Sequence, residues 1–202
     1  MSKLRHKQEQ AKDSLNKRLI SPGAGVAPAV VLSDPRYGHN VGAALRACSC
    51  FGIKQLWWTG DRVEFTEADG SGSRLPREER MKGYADVELC QGDHYFDAFA
   101  DSDAVPVAVE VRPNAEPLPE FIHPEKAVYI FGPEDGTLGK KTLHHCHRFV
   151  TIPSYHCLNL AGAVYTVLYS RVAQLGLPEV DVQSDLQLPS IAGVEGKLAP
   201  IG

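Results

Sequence analysis

The sequence predicts an α/β fold, a mostly parallel sheet of about six strands with helices on both faces. Three observations carry this expectation. Short apolar runs such as Ala29-Val30-Val31-Leu32 and Ala127-Val128-Tyr129-Ile130-Phe131 read as strands buried on both faces. Segments between such runs repeat apolar residues at three- and four-residue spacing, the period of a helix. Residues 29–58 read strand, helix, strand, a βαβ unit whose short crossover implies parallel strands.

Residues 1–20 have a helix-favouring composition without an apolar stripe, which predicts a short helix or an arm, and 21–25 break it. The strand at 29–32 leads into a loop at 34–40. Asn40 stands where an N-cap is wanted, because Val41, Ala44, Leu45 and Cys48 follow at helical spacing, and Gly52 closes the helix. Residues 53–58 return as a strand, and the charged segment 60–83, with Gly70-Ser71-Gly72-Ser73, predicts a loop and a short exposed helix. Next come a strand at 87–90, a short helix at 95–100, a strand at 105–111 and a polar, proline-bearing loop at 112–119. Strands at 127–131 and 149–152 enclose a helix at 138–145.

The last helix places Leu158, Ala161, Tyr165, Leu168, Val172 and Leu175 on one face, with Ala163, Val164 and Val167 opposite, which predicts burial on most sides. Gly176 and Pro178 stop it. The chain thus divides into a basic arm or helix at 1–25, one domain at 26–177, and an aperiodic tail at 178–202 expected to be extended or disordered.

With 202 residues and 43% hydrophobic content, the chain can bury one substantial core. No apolar run is long enough to span a bilayer and the N-terminus lacks the apolar centre of a signal peptide, so a cytoplasmic protein without a membrane partner is expected. Five cysteines, an odd number, do not form a secreted framework, and reduced thiols are expected. The net charge of −4 argues against indiscriminate coating of nucleic acid. Its distribution is uneven: Lys3, Arg5, Lys7, Lys12, Lys17 and Arg18 crowd the arm, whereas Glu179, Asp181, Asp185 and Glu195 mark the tail. Two readings of the arm stand side by side, contact with phosphates and a solvated helical extension.

Polar loops at 34–40, 110–117, 132–139 and 153–159 follow strand ends, where ligands bind in open α/β sheets. None carries G-x-G-x-x-G or a Walker loop, which argues against a dinucleotide enzyme or a nucleotide triphosphatase. His144, His145, Cys146 and His147 are adjacent and point in different directions on a helix, so they read as a polar helix end and no metal is expected. Cys157 beside His156 does not make a nucleophile and base, and Cys157 is expected as a small residue packed where a loop enters a helix.

Three motifs in order are more specific than any one of these features. Asn40-Val41-Gly42-Ala43-Ala44-Leu45-Arg46 opens the first helix, Phe131-Gly132-Pro133-Glu134 ends a strand, and Ile152-Pro153 precedes Leu158-Asn159 at the last helix. Together they resemble the SpoU, or TrmH-like, branch of the SPOUT RNA methyltransferases, over roughly residues 29–176. The resemblance implies a C-terminal trefoil knot, a rare exception among folds. It also implies S-adenosyl-L-methionine as cofactor and a homodimer.

Carried over by position, the cofactor site comprises Val109, Gly132, Ile152, Cys157 and Leu158, with backbone groups dominating; Cys157 stands where a serine is frequent. The implied active-site residues are Asn40, Arg46, Glu134 and Asn159. Asn40 and Asn159 can serve also as helix caps, while Glu134 is placed to orient another group, Arg46 or a backbone amide. The implied chemistry is methyl transfer to a ribose 2′-hydroxyl of tRNA or rRNA. A guanidinium is a very poor base, so Arg46 suits stabilisation of a developing alkoxide rather than proton removal. Arg74, Arg77, Arg80, Lys82 and the arm offer further phosphate contacts, against the alternative of a solvated face. Two other readings remain beside this one: a non-catalytic RNA- or ribosome-binding protein of the same fold, and a base-directed methyltransferase.

Overall fold

The computed structural model describes residues 25–63, 87–100 and 102–177; the basic arm, most of the charged 60–83 segment with Arg74, Arg77, Arg80 and Lys82, and the tail lie outside the described residues. In chain order the elements are β1 (Ala29–Leu32), α1 (Gly38–Cys50), β2 (Gln55–Trp58), β3 (Glu88–Gln91), α2 (Tyr95–Phe99), β4 (Val105–Val109) and β5 (Glu116–Pro117). A 3-10 turn (Leu118–Glu120), β6 (Ala127–Phe131), α3 (Lys140–His145), β7 (Arg148–Thr151) and α4 (Leu160–Leu175) complete the set. The strands form one sheet in the order β3-β2-β1-β6-β4-β7-β5, and every pairing is parallel.

The sheet is covered on both faces, as expected, and the strand period explains how. Val30 and Leu32 of β1 and Tyr129 and Phe131 of β6 point into one core, with Val41, Ala44 and Leu45 of α1 and Val164, Val167 and Leu168 of α4. Their neighbours Ala29, Val31, Val128 and Ile130 point to the opposite face, against Tyr95 and Phe99 of α2 and Leu138 and Cys146 around α3. The central strands are therefore apolar at every position, with β1 and β6 buried throughout.

Among the described residues the sheet has seven strands, in keeping with the expected number of about six; the polar loop adds the two-residue β5 on the edge beside β7, and a strand of two residues containing a proline has no readable period. Three expectations need correction. Asn40 is not the N-cap: α1 begins two residues earlier, with Tyr37 at the cap position, and the Asn40 amide is used elsewhere. The buried face of α4 is Leu160, Ala161, Val164, Val167, Leu168 and Arg171, whereas Leu158 and Leu175 are 45% and 41% exposed. α4 packs against α1 along one side, so its apolar residues do not all face protein. The strand expected at 105–111 ends at Val109.

Polar groups pin α4 in place. The buried Arg171 donates to the Glu125 carbonyl at 3.0 Å, and Gln174 Oε1 accepts from the His123 N–H at 2.6 Å. Burial, with the Arg171 and Arg148 charges adding to it, pushes the His123 imidazole down to about 4, so it is neutral where its ring meets Tyr129 Oη and Ser170 Oγ.

Candidate active site

Register brings the polar loops together. Leu32 of β1 pairs with Phe131 of β6, Phe131 with Val109 of β4, and Val109 with Val150 of β7, so four neighbouring strands finish near one line. The loops leaving them are tied at the first residue: Ser33 N–H donates to the Phe131 carbonyl at 2.8 Å and Glu110 N–H to the Val150 carbonyl at 3.0 Å. Between these loops lies a cavity of about 160 Å³. Val109, Gly132, Ile152, Cys157 and Leu158, the five positions read from the sequence, all line it, as does Glu134.

At its rim three side chains far apart in sequence form a chain of hydrogen bonds. Asn40 Nδ2 donates to Glu134 Oε1 at 2.5 Å, and Asn159 Nδ2 donates to Asn40 Oδ1 at 2.9 Å. Asn159 Oδ1 accepts from Gly162 N–H at 3.2 Å, so Asn159 is the cap of α4 as expected and holds Asn40 as well. An ionised carboxylate only accepts, which requires the Asn40 NH2 to face Glu134 and its oxygen to face Asn159. Each amide orientation is thereby dictated by the next.

Glu134 Oε2 accepts from the Arg36 backbone N–H at 2.8 Å. Burial alone would push the Glu134 carboxyl up, but the Asn40 amide and the backbone N–H groups of Arg36, Glu134 and Tyr37 outweigh it and hold the carboxyl below its ordinary value. Arg46 lies on α1 about 9 Å along the axis from Asn40, at 1.5 Å rise per residue. It is half-buried, and its charge acts on the Tyr165 phenol of α4.

A second set of charges clamps the surrounding loops. The Arg62 guanidinium bridges Asp34 and Asp135, each at 3.0 Å, and also donates to the Asp34 carbonyl. Arg36 Nη1 reaches Asp135 at 3.4 Å. The Arg62 hydrogen bond, ahead of its charge, holds the Asp135 carboxyl below its ordinary value. Sequence reasoning had not singled out these residues, nor Glu110, which lines the cavity and accepts from Leu138 N–H at 2.9 Å. The only signal for Glu110 was its place directly after Val109 at a strand end.

The cavity suits an adenosine-bearing cofactor. Val109, Phe131, Ile152 and Leu160 supply apolar walls, and Glu110 and Ser154 add convergent polar atoms. A Cβ built on Gly132 would meet Leu138 N at 3.4 Å and Glu110 Oε2 at 3.6 Å, ordinary contacts, so the surrounding protein does not require glycine there. Gly132 itself lines the cavity, where the absence of a side chain allows close approach to its backbone. Cys157 corrects an expectation: it is exposed at the cavity rather than packed, because 153–159 is an open loop that ends before α4 begins.

The sequence pattern of the SpoU rRNA Methylase family matches residues 27–169. The chain is 26% identical over 159 residues to tRNA (cytidine-2′-O-)-methyltransferase TrmJ of Methanocaldococcus jannaschii, covering 69% of this chain. It spans only 65% of the length of that relative. A solved structure that gives structural insights into the 2-OH methylation of C/U34 on tRNA is 26% identical, with a TM-score of 0.59 over 73% of this chain and 95% of the other. The AdoMet-bound rRNA methyltransferase from Sinorhizobium meliloti shares the fold, with a TM-score of 0.60 at 18% identity over 78% of this chain and 60% of the other. With the matched pattern covering the whole sheet and its loops, the chain belongs to the SpoU rRNA methylase family.

Proposed function

We propose that residues 26–177 form a catalytic domain that methylates a ribose 2′-hydroxyl of RNA, with S-adenosylmethionine as the donor. The observation that carries this reading is the Asn40, Glu134 and Asn159 chain at the rim of a cavity lined by all five expected cofactor positions. When bound, S-adenosylmethionine supplies an activated methyl group. Val109, Gly132, Ile152, Cys157 and Leu158 would hold it, and the apolar walls would exclude water around it.

The protein's own groups align the acceptor. Glu134 fixes Asn40, and Asn159 fixes it from the other side, so the amide is preorganised. Arg46 stabilises negative charge as it develops on the acceptor oxygen and holds the neighbouring phosphate, roles a guanidinium fills without losing its proton. The named activities of the Methanocaldococcus relative and of the 26% identical structure favour tRNA as the substrate.

The same reading includes a trefoil knot threaded by residues 152–159, the segment that returns from β7 to reach α1. It includes a homodimer, favoured by the exposed Tyr155, Leu158 and Tyr169 around the start and outer face of α4. It also includes a cytoplasmic location, and no helix among the described residues is long and apolar enough to cross a membrane.

Arg46→Ala tests the division of roles. Methyl transfer to unmodified tRNA is expected to fall at least about a thousandfold, in line with loss of a strong electrostatic contact at a transition state. Binding of S-adenosylmethionine by calorimetry is expected to stay within about twofold of the parent, because no cavity-lining atom has changed. Equal loss of both would refute the assignment.

A further inference from the structure

Directly before Asn40, the chain exposes two aromatic rings beside a cation. The rings of Tyr37 and His39 stack, with centroids 5.3 Å apart and planes 22° from parallel. The Arg36 guanidinium sits 5.3 Å from the Tyr37 ring centre. Core ring pairs are usually buried, but Tyr37 is 43% exposed, His39 is exposed, and the Arg36 side chain is 53% exposed.

The backbone that carries the rings is nevertheless held in place. Tyr37 has extended backbone, at φ −119° and ψ 124°, and its carbonyl accepts from Asn40 N–H at 3.0 Å. Arg36 is tied to the rim of the site through its backbone N–H on Glu134. An open, stacked aromatic pair on a fixed backbone, with an adjacent guanidinium, is a combination that stacks an unpaired nucleobase while meeting its phosphate. Every base presents a π-face, so such a surface needs no particular sequence.

We propose that Tyr37 and His39 form a stacking platform for an unpaired RNA base next to the acceptor nucleotide, with Arg36 contacting the intervening phosphate. The proposal rests on the RNA-directed reading of the neighbouring site. It adds a binding subsite at the start of α1, one residue on either side of Gly38.

The test uses the full chain and a fluorescently labelled, unmodified tRNA transcript, with affinity read by anisotropy. Tyr37→Ala and His39→Ala are each expected to weaken RNA binding by about tenfold, the scale of one lost base–aromatic stack. Affinity for S-adenosylmethionine should stay within about twofold, and Tyr37→Phe should restore RNA binding. Tyr37→Trp adds a readout that a purely structural role would not move: its indole fluorescence should be quenched when the tRNA is added, the two native tryptophans being buried. Unchanged RNA affinity in both alanine variants would overturn the proposal, as would absence of quenching or failure of the parent chain to bind the transcript. Loss of self-association by Tyr37→Ala in sedimentation, with RNA affinity kept, would overturn it in favour of a contact between two copies. Binding is read without turnover, so a parent chain that binds but transfers no methyl would count against the catalytic reading and leave the platform standing.

Discussion

At Gly132 the nearest protein atoms to an added methyl group would be Leu138 N at 3.4 Å and Glu110 Oε2 at 3.6 Å, distances that an alanine tolerates. On the proposed function, the glycine serves the cofactor that enters the cavity. Gly132→Ala is expected to change unfolding free energy by no more than about 0.5 kcal/mol, as for substitutions that strain nothing. Affinity for S-adenosylmethionine should nonetheless fall about tenfold or more, as expected where overpacking costs about 1–3 kcal/mol. Chemical denaturation and calorimetry on the same preparation check the two halves. A large stability loss with unchanged affinity would move Gly132 from ligand to fold. Asn40 illustrates what a sequence hides at this scale. Its type and place read as a cap, but its amide is committed to Glu134, 94 residues away, and to Asn159, 119 residues away. Local spacing carries no trace of such partners. Only the occurrence of the three motifs in order suggested that these residues share a site.

At the scale of elements, the central strands were legible because burial on both faces leaves an unbroken apolar run, and 29–32 and 127–131 appear in the structure with those bounds. α4 was legible as a helix but not in its orientation. With apolar residues nearly all round, the sequence left its buried side ambiguous, and contact with α1 decides for Leu160, Val164, Val167 and Leu168. Phe51, after α1, adds edge-on contacts to Tyr165 and Tyr169, with centroids 6.1 and 6.4 Å away. Leu168 is fully buried in this seam, so Leu168→Ala should destabilise the fold by about 2–5 kcal/mol, measured by urea denaturation. A loss below about 1 kcal/mol would mean that α4 is held by its polar ties at Arg171 and Gln174 rather than by packing.

Across the whole molecule, the site exists because parallel register ends four strands together and hydrogen bonds then join the first turn of α1 to the loop after β6 and to the cap of α4. The α/β class and the two-faced burial followed from periodicity alone. The meeting of residues 40, 134 and 159 came instead from resemblance, since strand order within a sheet is not written in local pattern. Glu110 and the Arg62 clamp escaped both routes, being single charged residues whose partners are set only by the folded loops.

The most direct measurement of the central claim is transfer of labelled methyl from S-adenosylmethionine to unmodified tRNA and rRNA, followed by alkaline hydrolysis. A methylated 2′-oxygen cannot attack the adjacent phosphate, so ribose methylation leaves label in alkali-resistant dinucleotides. The proposed function predicts label in dinucleotides from the tRNA pool, lost in the Arg46→Ala variant. Label released as mononucleotides would place the methyl on a base, and no incorporation by a chain that binds S-adenosylmethionine would contradict catalysis on either RNA.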